Sequence, residues 1–186
     1  TGVDGYTDSL PVNAALDPET LLCYSMGEQP LTRSHGSPLR LYTPGRYGIK
    51  NPKWIIKIEA LDSDYKGFWQ QRGWTEDGFI QTTSVIDTSH QASDGLVSVG
   101  GIAFSGERGI QRVEVKVDDG EWSRGELDRP LSNLTWVLWR AELDLSQGEH
   151  EITVRAVDGD GEVQTDSTSP TTPSGATGHH SIQITI

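Results

Sequence analysis

The strictest local constraint in the chain is the run Val113-Glu114-Val115-Lys116-Val117, where apolar and charged residues alternate without a break. Successive side chains of an extended strand point to opposite faces, so this pattern suits a strand buried on one face only. It runs directly into Asp118-Asp119-Gly120-Glu121-Trp122, where Asp-Gly offers the positive backbone angles of a tight hairpin turn. The device recurs where Ile152-Thr153-Val154-Arg155-Ala156-Val157 leads through Asp158-Gly159-Asp160-Gly161 to Val163. Short strands separated by turn signals are predicted over residues 96–104, 110–117, 121–127, 134–143, 149–157, 162–165 and 180–186. That spacing predicts an immunoglobulin-like antiparallel β-sandwich. The acidic turns resemble calcium loops but lack the full ligand pattern of one, which leaves plain turns.

The first half follows another grammar. Pro11, Pro18, Pro30, Pro38, Pro44-Gly45 and Pro52 punctuate it, and clean periodicities are few. Asp17-Pro18-Glu19 opens a short helix or ends a turn. Residues 39–42 read as extended, and alternation from Ile56 to Leu61 predicts a half-buried strand. The small, polar stretch from Asp87 to Asp94 reads as the junction, giving domains at residues 1–90 and 91–186. The fold class expected is mainly β: an incomplete mixed α+β segment, then the sandwich.

A formal net charge of -12 speaks against a general nucleic-acid binder, which needs basic surface to neutralise phosphates. No apolar run is long enough for a membrane-spanning helix, so a soluble globular chain is expected. The single cysteine, Cys23, has no disulfide partner and no zinc-type spacing. Within Leu21-Leu22-Cys23-Tyr24 it reads as a small core residue. The start at Thr1 suggests a processed or trimmed chain.

Against that acidic background, no Asp or Glu falls between Glu28 and Glu59, while Arg33, Arg40, Arg46, Lys50, Lys53 and Lys57 do, together with His35. By chance the interval would hold about four acids. Ser34-His35-Gly36-Ser37-Pro38 and Pro44-Gly45-Arg46-Tyr47-Gly48 are loops whose glycines let backbone N–H groups approach an anion. Arg grips a phosphate with two parallel hydrogen bonds and Lys acts as a point charge. The alternative is a set of solvated cations spread over both faces of strands.

The order Met26-Gly27-Glu28-Gln29-Pro30-Leu31, then His35-Gly36, Pro38 and Arg40, then Pro44-Gly45, Tyr47-Gly48, Lys50 and Lys53-Trp54 resembles the cofactor domain of the sulfite oxidase family. Tyr6-Thr7-Asp8-Ser9-Leu10-Pro11 looks like the family segment that carries a Tyr beside molybdenum. Phe104 to Val115 and Asp119-Gly120 with Trp122 look like the dimerisation domain that follows. The resemblance implies a molybdenum cofactor, a pyranopterin whose phosphate lies among basic loops. It assigns cofactor contacts to His35, Arg40, Gly48, Lys50 and Lys53, with Arg46 at a varying position, and makes Tyr6 the catalytic hydrogen-bonding or proton-handling group. It further implies a homodimer.

The resemblance also shows departures. The family's metal-binding cysteine belongs to a segment upstream of the Tyr6 motif, so this chain is expected to be the C-terminal fragment of a larger oxidoreductase, holding no metal alone. Cys23 stands where the family has a small apolar residue. Animal sulfite oxidases present an Arg to the substrate from the sandwich domain, and Pro173-Ser174-Gly175-Ala176-Thr177-Gly178-His179-His180 contains none, which speaks against sulfite as substrate. His179 and His180 point to opposite faces of an extended chain, which argues against a metal site. Asn133-Leu134-Thr135 matches a glycosylation acceptor only formally. The rival readings are an extracellular immunoglobulin-like adhesion module with a basic preface, and a binder of sulfated glycans or other polyanions.

Overall fold

The computed structural model describes residues 1–91 and 96–186 and divides into two compact units. One comprises Thr1–Ile80 with Thr172–Gly175, and the other Gln81–Thr171 with Ala176–Ile186. The division falls ten residues before the expected junction, because much of the polar stretch is itself a strand. The part of that expectation on residues 92–95 lies outside the described residues.

The first unit contains a single helical turn, α1 (Val12–Ala15), and four short strands. Strand β1 (Leu21–Cys23) pairs antiparallel with β4 (Arg40–Tyr42), Cys23 opposite Arg40. Strands β2 (Ser25–Met26) and β3 (Gln29–Pro30) form a hairpin. Its turn residues, Gly27 at φ 55° and Glu28 at φ 64°, both have the positive angles of a two-residue turn that matches strand twist. Asp17-Pro18 closes a turn after the helix, with the Asp17 carboxylate accepting the Glu19 N–H. Residues 56–61 are extended but do not form the expected strand: Ile56, Ile58 and Leu61 are 66%, 67% and 53% exposed. Alternation makes a strand only where a neighbouring strand takes its N–H groups, and here Ile56 and Lys57 both donate to the Thr1 carbonyl. Cys23 is half-buried on β1, not a core residue.

The second unit is an antiparallel β-sandwich of two four-stranded sheets, with strands β5 (Thr83–Gln91), β6 (Leu96–Phe104), β7 (Ile110–Val117), β8 (Ser123–Arg124), β9 (Glu126–Leu127), β10 (Val137–Asp144), β11 (Glu149–Asp158) and β12 (His180–Thr185). One sheet has the order β5-β6-β10-β9 and the other β12-β11-β7-β8. The alternating run forms β7, and its inward residues meet apolar partners on β11: Val113 opposite Ala156, Val115 opposite Val154, Val117 opposite Ile152. Five of these six are fully enclosed in the core and Val117 packs against it. Each fully buried Val or Ile contributes about 1.5–3 kcal/mol. The facing sheet supplies Ile86, Val97, Val99, Trp139 and Leu143.

Three strand expectations shift. Residues 121–127 form two short strands, β8 pairing with β7 and β9 with β10, so the chain changes sheets at Gly125. Residues 162–165 make one bridge, Val157 to Val163, because Gln164 turns inward with its side chain bonded to Ser84, the Ala156 N–H and the Gly178 carbonyl. Strand β5 escaped notice because only Ser84 and Ile86 of it are buried. In the β7–β8 turn the positive φ belongs to Asp118, at 49°, and not to Gly120.

Gly101 lies between Ile86 and Trp139 at the bulge in β5. A Cβ there would collide with the Val85 carbonyl oxygen. Gly101→Ala is therefore expected to destabilise this unit by about 3 kcal/mol, read as a lowered urea midpoint, because backbone has to move to admit it.

Asp118 also accepts a hydrogen bond from His150 Nδ1 at 2.8 Å, while His150 Nε2 meets the Ser146 carbonyl at 3.0 Å. The bond to Asp118, then that to Ser146, raises the His150 pKa, and the same contact lowers that of Asp118. A raised imidazole stabilises the fold below its usual value of about 6.5, and that contribution is lost as pH rises through the folded value. The denaturation midpoint should fall as pH rises above about 6.5, and His150→Gln should flatten that slope.

Candidate anion pocket and the Tyr6 turn

The cations of the basic island go to different places. The loop Thr32–Ser37 is folded on itself by N–H bonds from His35 and Ser37 to the Thr32 carbonyl and from Gly36 to the Arg33 carbonyl. Trp54 holds it from outside, its indole N–H donating to the Arg33 carbonyl at 2.7 Å and its backbone N–H to the Gly36 carbonyl. Gly36 has φ 107°, and a Cβ there would stand 3.0 Å from the Cβ atoms of both Arg40 and Lys53. Only glycine lets the two basic stems pack this closely on the loop.

Three of the expected residues converge on this loop. Arg40 donates from Nη1 to the His35 carbonyl at 3.2 Å, and Lys53 donates from Nζ to the Ser34 carbonyl at 3.0 Å while lying over the Trp54 ring. The exposed His35 ring meets the Thr32 hydroxyl through Nδ1 at 3.0 Å. Arg40 Nε is buried and has no hydrogen-bond partner among the described residues. A guanidinium N–H left in that condition is a donor waiting for an acceptor.

Lys50 and Gly48 do not join them. Gly48–Lys50 is a 3-10 turn, and Lys50 is buried, its ammonium donating to Asp8 Oδ1 at 2.8 Å and to the Ser9 carbonyl at 2.6 Å. The expectation that Lys50 converges with His35 and Arg40 on one anion is corrected: a buried ammonium needs a counter-charge, and Asp8 supplies it. The Tyr6 hydroxyl donates to the carbonyl of Ile49 in the same turn, and its ring lies 5.8 Å from that of Phe68. Burial, then the charges of Asp8 and Asp4, raise the Tyr6 pKa, so the phenol keeps its proton. Arg46 turns away to the Asp77 carbonyl and the Phe79 ring, and Lys57 forms an exposed pair with Glu59.

The sequence motifs include Asp8 and Trp54 without assigning them a role, and Asn51 lies outside them. Asn51 Oδ1 accepts the backbone N–H and the hydroxyl of Thr43, which ties the turn to the end of β4. A signal for Asp8 was present: with no acid from 29 to 58, any cation buried there must pair outside the island. His179 and His180 serve separate ends, His179 against Trp122 and the Gln164 carbonyl, His180 accepting the Ile86 N–H. Among the described residues no three His, Cys, Asp or Glu gather as a metal site.

The family profile described as oxidoreductase molybdopterin binding domain matches residues 1–69, and that described as Mo-co oxidoreductase dimerisation domain matches residues 80–173. The chain belongs to the sulfite oxidase family of molybdenum-cofactor oxidoreductases. Mitochondrial sulfite oxidase of Mus musculus is 34% identical over 89% of this chain, and sulfite oxidase of Arabidopsis thaliana 29% over 86%. The chain spans 36% of the mouse enzyme and 49% of the plant one. The sulfane dehydrogenase SoxCD of Paracoccus pantotrophus shares the fold, with a TM-score of 0.75 at 22% identity over 95% of this chain and 51% of that one. Membership in the sulfite oxidase family does not favour the adhesion-module reading.

The two basic groups differ in what their loss removes. Lys50→Met leaves the Asp8 carboxylate buried without its partner and should destabilise the first unit by about 3–5 kcal/mol. Arg40→Met removes a side chain whose Nε has no partner and should cost far less. Urea unfolding of the two variants side by side measures the difference.

Proposed function

We propose that this chain forms one side of a molybdenum-cofactor pocket, with His35, Arg40 and Lys53 holding the phosphate of the pterin. The observation that carries this reading is Arg40 Nε, a buried donor without a partner, beside a loop that Gly36 keeps narrow enough for two cations. A phosphate oxygen satisfies that donor and is matched in charge by Lys53. Gly48 and Lys50 serve the site through the turn they build and not by direct contact. When bound, the cofactor supplies two-electron redox chemistry, while the protein contributes orientation and electrostatics. Tyr6 holds a proton at its hydroxyl, with the phenol directed at the Ile49 carbonyl, and is the group of this chain assigned to the reacting centre.

The sandwich unit is proposed to form an isologous two-fold homodimer, on the strength of its match to the dimerisation domain. Light scattering well above micromolar concentration should show a dimer, and a strict monomer would count against it.

Inorganic phosphate followed by calorimetry tests the pocket. Arg40→Met should weaken binding about tenfold, as expected for loss of one charge-assisted contact. Lys57→Met should leave it unchanged, and equal weakening by both would reduce the site to diffuse positive charge. Molybdenum is expected to need a protein thiolate other than half-buried Cys23. Metal analysis after expression in a host that makes the cofactor should therefore find none in this chain alone; near-stoichiometric molybdenum lost on Cys23→Ser would make Cys23 the ligand.

A further inference from the structure

Residues 6–10 carry Tyr6 but belong to no helix or strand; the carbonyls of Tyr6 and Thr7 accept N–H bonds from Gly2 and Phe68, and side chains add the remaining ties. Three of its bonds reach adjacent residues of one turn. The Tyr6 hydroxyl donates to the carbonyl of Ile49, and the ammonium of Lys50 bonds Asp8 Oδ1 and the Ser9 carbonyl. The side chains of Lys50 and Asp8 are 1% and 3% exposed. The turn is itself anchored, Thr43 donating through its hydroxyl to the Lys50 carbonyl and Lys50 N–H donating to the Tyr47 carbonyl.

We infer that Asp8 and Lys50 are a positioning pair for Tyr6, holding its segment in register with the Gly48–Lys50 turn so that the phenol stays directed at the Ile49 carbonyl. The inference rests on the reading of Tyr6 as the group beside the reacting centre.

Stability alone does not account for the pair. Removing two charges from water is costly, and well-packed apolar residues of similar volume commonly do as well or better. The pair is also incompletely satisfied: Asp8 Oδ2 and Gln70 Oε1 are both buried without partners among the described residues. A Cβ on Gly67 would lie 2.6 Å from Asp8 Cα and 2.8 Å from Gln70 Oε1, so the two orphaned acceptors belong to one neighbourhood. Burial raises the Asp8 pKa more than the bond and charge of Lys50, the Ser9 backbone and the charge of Arg46 lower it, so the contact with Lys50 is the main influence favouring the carboxylate. What the arrangement achieves is a fixed register between the Tyr6 segment and the turn whose Ile49 carbonyl the phenol meets. The charged groups acting on Tyr6 are Asp8 and Asp4, its hydroxyl faces the Ile49 carbonyl, and Phe68 covers the ring.

The phenol reports on this directly. Tyrosinate absorbance of the intact chain, with Tyr6→Phe subtracted to isolate Tyr6 among the five tyrosines, is followed with pH while circular dichroism monitors the fold. In the wild-type chain Tyr6 is expected to ionise above the ordinary range of a free phenol, and titration within that range overturns the inference before any variant is made. Asp8→Asn keeps an oxygen for Lys50 but removes the charge, and should make Tyr6 about tenfold easier to ionise. In Asp8→Asn/Lys50→Met, which removes both charges and the clamp, Tyr6 should titrate closer to the ordinary range of a free phenol. An unchanged midpoint in either folded variant assigns the pair to packing alone and overturns the inference. Phosphate binding separates the two readings: Asp8→Asn should leave it intact, and its absence from wild type would remove the pocket without moving the phenol.

Discussion

The first unit is organised around an ammonium group that water cannot reach. Among the described residues Lys50 is the largest fully buried side chain, while Leu31 is the buried hydrophobic of its own unit. Without a large apolar core, the irregular segments of this unit are positioned by polar contacts, and those contacts lead back to Lys50. Its ammonium holds Asp8 and Ser9, its carbonyl accepts the Thr43 hydroxyl, and its N–H meets Tyr47. Gly78, at φ 64°, packs where any Cβ would stand 2.6 Å from Lys50 Cγ, so the aliphatic stem is enclosed as closely as the charge. A buried cation of this kind gives direction as well as cohesion, because its hydrogen bonds specify which partners it meets.

The sandwich solves the same problem in reverse, with polar groups placed inside an apolar core. Gln164 joins Ser84 of β5 to Ala156 of β11 and to Gly178, and all its amide atoms are used. Asp158 closes the turn after β11 by accepting N–H bonds from Asp160 and Glu162 through Oδ1, and Arg108 bonds its other oxygen at 2.8 Å. Burial opposes that charge, but Arg108 and the Glu162 N–H hold the Asp158 carboxyl below its usual pKa. These groups add to a register that the buried apolar face already specifies, since a one-residue slip would turn the core residues outward.

What was legible in the sequence follows from how local each cause is. The alternation of residues 113–117 is a property of the strand itself, and it predicts β7 and its inward face without further information. Loop glycines are nearly as local, and Gly36 stands where the island required a close approach. Strand β5 was not legible, because Ser84 is buried only by virtue of Gln164, eighty residues away. The alternation of Ile56, Ile58 and Leu61 promised a strand, and the pattern had no means of showing that the backbone would pair with a single carbonyl at Thr1.

The basic island shows where counting charges stops being informative. A run without acids concentrates positive potential in the sequence, yet each cation settles according to the cost of its own burial. Arg46 and Lys57 reach the surface, where a pair such as Lys57–Glu59 adds little stability. Lys50 is enclosed and draws Asp8 in from outside the run. Arg40 lies between these extremes: its Nη1 is bonded, its Nε is enclosed without a partner, and His35 and Lys53 stand beside it. Of the six cations, the one with unmet demand is the one able to select a ligand, since a solvated charge attracts any anion and a fully paired one attracts none. On the proposed reading, the recognition chemistry of the island therefore falls to the loop from Thr32 to Ser37 and the two basic stems packed against Gly36.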